Sequence, residues 1–109
     1  MGERLLIRAV VRLLTPEEGG SQGPLGKEFR PSWNIGSRAD DGQMALDGGS
    51  VTLDDAGPLV PGQEKEAVIE PFLSEPWRHV AQGMEIPMHA GARVIGSAQV
   101  LEIVRIQHA

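Results

Sequence analysis

The run Leu5-Leu6-Ile7-Arg8-Ala9-Val10-Val11-Arg12-Leu13-Leu14 decides how this chain folds. Its odd-numbered members, Leu5, Ile7, Ala9, Val11 and Leu13, are all apolar, whereas Arg8 and Arg12 fall among the even-numbered ones. Alternation with a period of two puts successive side chains on opposite faces, so the run reads as a half-buried strand. No Gly or Pro interrupts Glu3–Thr15, and the only other uninterrupted stretch of more than ten residues is Ser97–Ala109. There Ala98, Val100, Val104 and Ile106 share a face with Glu102, while Leu101 and Ile103 lie opposite beside Gln99 and Arg105. That pattern suits a strand covered on both sides.

Between these two stretches, Gly, Pro and Asx clusters mark off shorter strand candidates at Glu28–Ile35, Gly49–Leu53, Glu64–Leu73, Met84–His89 and Ala92–Ile95. A helical bundle is excluded by this punctuation, and the spacing points to a small barrel or sandwich. Ala90-Gly91-Ala92 closes a hairpin onto the last stretch, and Pro87, which has no N–H for a ladder, calls for an edge or a bulge. Residues 36–49, with Asp40, Asp41, Asp47 and four glycines, read as a flexible acidic loop. The expected interior is Leu5, Ile7, Val11, Leu13, Ile69, Leu73, Met84, Ile86, Val100 and Val104.

At 109 residues the chain is one small domain over 1–109, too short for a nucleotide-driven motor or a multi-domain enzyme. Ten basic and 15 acidic side chains give a net charge of −5, which does not mark a polyanion binder. The acids concentrate in residues 31–75, where nine of them face only two cations. The absence of Cys rules out a disulfide framework, a zinc knuckle and a thiol nucleophile. No apolar run approaches the ~20 residues of a membrane span, and Arg8 and Arg12 break the only candidate leader, so a cytoplasmic location is expected.

Three blocks in order, Pro16-Glu17-Glu18-Gly19-Gly20 followed by Arg30-Pro31, then Leu59-Val60-Pro61-Gly62, then Gly91-Ala92-Arg93-Val94-Ile95-Gly96-Ser97-Ala98, resemble the C-terminal β-barrel of bacterial elongation factor Tu. The resemblance covers most of the chain, with Phe29 at a family tyrosine and Val60 at a family methionine. It implies an all-β fold, a six-stranded antiparallel β-barrel like that factor's third domain, without its GTP-binding domain. In the family this barrel packs on the GTP-binding domain, contacts the T-stem of aminoacyl-tRNA and docks the nucleotide exchange factor; none of these roles is catalytic. Arg30, Gly91 and Arg93 match the family pattern, but Ser21-Gln22 stands where the family has Arg-His, Ser32 where it has Gln, and Ala90 where it has Glu. Glu75 aligns approximately with a family lysine. Phosphate contacts rest on Lys and Arg, so these departures imply a barrel kept and a tRNA function lost.

Other constellations lead nowhere chemically. Gly20 to Lys27 is one residue too long for a phosphate loop, with Glu28 where Ser or Thr must hold magnesium, so no nucleotide cofactor is expected. His79, His89 and His108 lack paired metal-ligand spacing and read as surface histidines, and Asp40-Asp41-Gly42 lacks a calcium-loop register. Ser74 and Ser97 have no nucleophile elbow, and Glu17-Glu18 are strand neighbours whose carboxylates diverge. No catalytic residue is assigned. Trp33 reads as core, whereas Trp77-Arg78-His79 after Pro76 reads as an interface loop, because aromatic and Arg anchors dominate binding energies.

The expected function is therefore a non-catalytic module that docks a protein partner, associated with translation through mimicry of elongation factor Tu. Its expected contact residues are Arg30, Trp77, Arg78, His79, Gly91 and Arg93. The alternative is a residual RNA-binding module using Arg30, Arg78 and Arg93, and a small enzyme of unknown chemistry ranks behind both.

Overall fold

The computed structural model describes residues 3–20 and 23–107. In chain order the strands are β1 (Glu3–Leu13), β2 (Glu28–Phe29), β3 (Ser32–Trp33), β4 (Asp47–Leu53), β5 (Glu64–Pro71), β6 (Glu85–Ala90) and β7 (Arg93–Gln107). Two 3-10 turns, Pro16–Glu18 and Glu75–Trp77, are the only helical segments among the described residues. The ring runs β4-β3-β6-β7-β1-β5 and back to β4, every pairing antiparallel, which makes a closed six-stranded barrel with β2 as an extra strand.

β1 keeps its alternation throughout: Leu5, Ile7, Ala9, Val11 and Leu13 are buried inside the ring. It pairs with β5 on one side and with the full length of β7 on the other, from Glu3↔Gln107 to Leu13↔Gly96. Gly96 permits that approach, because a Cβ there would collide with the Arg12 carbonyl and stand 2.8 Å from the Met88 methyl. β6 reaches only to Gln99 of β7, so Glu102–Gln107 pairs with β1 alone.

The single strand expected over Glu28–Ile35 is split. β2 and β3 both pair with the same edge of β4, and Arg30-Pro31 interrupts them where proline has no N–H to give the ladder. Asp47, Gly48 and Gly49, placed by the sequence in the acidic loop, belong to β4. The rest of that loop carries an isolated bridge between Arg38 and Met44.

Two expected core residues are on the surface. Leu73 is 73% exposed because β5 stops at Pro71 and the alternation stops with it. Val104 is 38% exposed because a bulge opposite Arg8/Ala9 shifts the register of β7: Val100 pairs with Ala9, but Ile103 pairs with Ile7. One extra residue exchanges the faces, so Ile103 turns inward and Val104 outward. Met84 is partly buried, and the other seven expected residues lie in the core.

Candidate docking site

The β6–β7 hairpin turns through Gly91, whose φ of +60° lies in the left-handed region that glycine adopts without strain. β3 touches β6 only through Ser32↔His89 and Trp33↔Met88. Past that short ladder, Arg30-Pro31 and the hairpin diverge and leave a cleft of about 240 Å3. Its walls are largely apolar, from Leu25, Phe29, Pro31 and Ile95, and Arg30, Gly91 and His89 also line it.

His89 is the unusual member. A bulge between Met88 and His89 breaks the alternation, so two consecutive side chains are buried, with His89 only 3% exposed. Bulges re-aim side chains in this way. Neither Nδ1 nor Nε2 of His89 has a hydrogen-bond partner among the described residues. Leaving a buried polar group unsatisfied costs about 1–3 kcal/mol, so the imidazole is held here at the expense of stability.

The cations divide into two sets. On the outer face of β1, Arg4 bonds Glu70 at 2.8 Å, Arg8 bonds both Asp54 and Glu66 at 3.1 Å, and Arg12 bonds Glu18 at 2.8 Å. Lys65 holds Asp55 at 2.7 Å. Of the nine acids in residues 31–75, Asp54, Glu66 and Glu70 are thus paired with arginines of β1 and Asp55 with Lys65. The Glu70 and Asp55 carboxyls sit below their ordinary pKa because Arg4 and Lys65 respectively donate to them. Glu18 is lowered first by the Thr15 backbone N–H and then by Arg12, within a capping box around Pro16–Glu18. Lys27, Arg30, Arg38 and Arg93 have no ion pair among the described residues.

The other end of the barrel is closed. The Glu75–Trp77 turn folds Trp77 back into the core, where it is fully buried and meets Trp33 edge-to-face at 6.3 Å and 74°. Trp33 Nε1 donates to the Gly49 carbonyl at 3.0 Å. Trp77 therefore plugs the barrel and is not a surface contact, which corrects the expectation of an interface anchor. Arg78 is exposed and lies 3.8 Å from Glu3, whose other neighbour, Arg105, is at 4.0 Å. His79 is also exposed, and its Nε2 donates to the Ile35 carbonyl at 2.6 Å.

Of the six residues singled out from the sequence, the structure brings Arg30, Gly91 and Arg93 to the hairpin end. Arg78 and His79 lie at the opposite end, beside Glu3 and Arg105. Arg93 and Arg105 mark the two ends along β7, about 40 Å of strand at 3.3 Å per residue. Arg30, Arg78 and Arg93 accordingly do not form one basic patch. Sequence reasoning missed His89, taken as a surface histidine; the available signal was Pro87, which already demanded a local irregularity in β6. Ser21-Gln22 and His108 lie outside the described residues.

Among the described residues, no group of three or more His, Asp or Glu could hold a metal ion, and no helix is long and apolar enough to cross a membrane. Fold and site together define a closed six-stranded antiparallel barrel with an open cleft at its hairpin end. Neither a protein-family model nor a curated protein sequence matches the chain.

Proposed function

We propose that this barrel is a non-catalytic protein-docking module, of the kind represented by the C-terminal barrel of elongation factor Tu, and that it works in the cytoplasm through its hairpin end. The observation that carries the reading is the apolar cleft whose lining includes Arg30, a cation that no carboxylate pairs with among the described residues. Arg30 lines it, Arg93 follows the hairpin turn, and both are without an ion pair among the described residues, while the arginines of β1 are committed to carboxylates. An apolar recess with a few polar groups at its margin is the usual form of a recognition site. The β-barrel order and the Gly91–Ala98 block support the likeness to the elongation-factor barrel, and with it a place near the translation machinery.

Binding of RNA is the second reading, and the scatter of its cations counts against it. Phosphate recognition draws on several cations along one surface, and Arg78 stands at the far end of the barrel from Arg30 and Arg93. Affinity capture from a lysate of the source cells, with and without ribonuclease, separates the two. The docking reading expects a saturable protein partner that survives nuclease and is lost in the Arg30→Gln/Arg93→Gln double variant. Capture abolished by nuclease establishes the RNA reading instead, and a partner indifferent to both arginines overturns the assignment of the hairpin end.

A further inference from the structure

The chemistry of the cleft narrows what a partner must present. An apolar cavity of about 150 Å3 accommodates benzene. At about 240 Å3 this cleft takes one benzyl or branched aliphatic side chain with a small polar group, and not the face of a helix. Its apolar walls, Leu25, Phe29, Pro31 and Ile95, call for such a side chain. Arg30, the one cation in its lining among the described residues, calls for a single anion, and a guanidinium offers a planar fork that fits a carboxylate. Glu28, two residues away beside a neighbouring recess that Arg30 also lines, makes no ion pair with it. The guanidinium therefore retains its charge for an incoming group.

One apolar side chain and one carboxylate within a few ångströms is the signature of a polypeptide's last residue. We infer that the cleft receives the C-terminal residue of a partner protein, its aromatic or branched side chain between Leu25, Phe29 and Ile95 and its α-carboxylate on Arg30. Ser32 supplies further polar lining, and His89 lines the recess with both ring nitrogens buried. Because Arg30 pairs with no carboxylate among the described residues, binding the chain end displaces none of their ion pairs. The inference rests on the docking assignment of the hairpin end, but adds the chemical identity of the group recognised.

N-acetyl-L-phenylalanine is the probe, with N-acetyl-L-phenylalaninamide and acetate as its two halves, followed by backbone amide shifts in the whole chain. The acid should bind saturably in the millimolar range expected of a fragment this small, shifting Phe29, Ser32, His89 and Ile95. The amide should bind about fivefold more weakly, the upper range for an exposed ion pair. Arg30→Gln should erase that difference, and Ala90→Trp, placed at the exposed lip of the cleft, should block both compounds. Equal binding of acid and amide, shifts produced by acetate alone, or no saturable shift overturns the inference. If the probe fails while a nuclease-resistant partner still depends on Arg30 and Arg93, the docking function stands and only the chain-end chemistry falls.

Discussion

The two ends of this barrel solve the same problem in opposite ways. A ring of six strands leaves two openings, and at one of them Trp33 and Trp77 fill the space with an edge-to-face pair whose first indole N–H is bonded to Gly49. At the other, β2 and the β6–β7 hairpin diverge around a cleft, and among the described residues a histidine is buried without a partner and two arginines stand unpaired. The plugged end has the character of a core, and the open end the character of a site. Buried polar atoms without a partner among the described residues occur at both ends, His89 Nδ1 and Nε2 beside the cleft and Trp77 Nε1 in the plug, so the contrast lies in filled against open space and in paired against unpaired arginines.

The largest test of that contrast is Trp77→Ala. Emptying the plug should lower the unfolding free energy by about 3–5 kcal/mol, measured in urea. A loss below about 1 kcal/mol would mean that the indole does not hold the end closed. His89→Leu tests the open end from the other direction. Exchanging an unsatisfied imidazole for an apolar side chain should raise stability by about 1 kcal/mol, and a clear destabilisation would show that the imidazole has a partner in solution.

Smaller effects separate the committed cations from the free ones. Glu70→Gln removes the exposed pair with Arg4 and should cost about 0.2–1 kcal/mol. Exposed pairs of this kind also give stability a modest dependence on acid pH. Glu18, Asp55 and Glu70 all have lowered pKa values in the folded chain, so the unfolded chain binds more protons at acid pH. Their contribution is complete above the ordinary carboxylate range, roughly pH 5, and is lost as pH falls through that range and below it. A thermal melt series should show this decline, flatter in Glu70→Gln. Arg30→Gln and Arg93→Gln, by contrast, should change stability by no more than about 0.5 kcal/mol at any of these pH values. A greater loss would show that these arginines support the fold.

Much of the fold was legible because β1 and β7 carry uninterrupted periodic patterns, and the hairpin at Gly91 was marked by its small residues. What escaped depended on single-residue irregularities. The bulge opposite Arg8/Ala9 exchanged Val104 for Ile103, and the bulge at Met88/His89 buried a histidine that period-two counting placed outside. Of the residues singled out for contact, Arg30 and Gly91 line the cleft and Arg93 follows the hairpin turn, a placement readable from the Gly91 hairpin signal. Trp77 misled because a short Pro-led segment reads as loop, whereas its 3-10 turn returns the indole to the interior. A period-two pattern cannot report where the chain skips a beat, since the skip is fixed by contacts with a distant strand.

The ring is closed by pairing β1 with β7, Glu3 opposite Gln107. A ribosome adding 5–20 residues per second takes on the order of 5–20 s to make the roughly one hundred residues between them. Until Pro71 is made Leu5, Ile7, Ala9, Val11 and Leu13 lack both neighbouring strands, and from then until Gln107 they lack one. The apolar face of β1 thus waits longest for its cover, and the barrel is completed only after the last strand has cleared the exit tunnel.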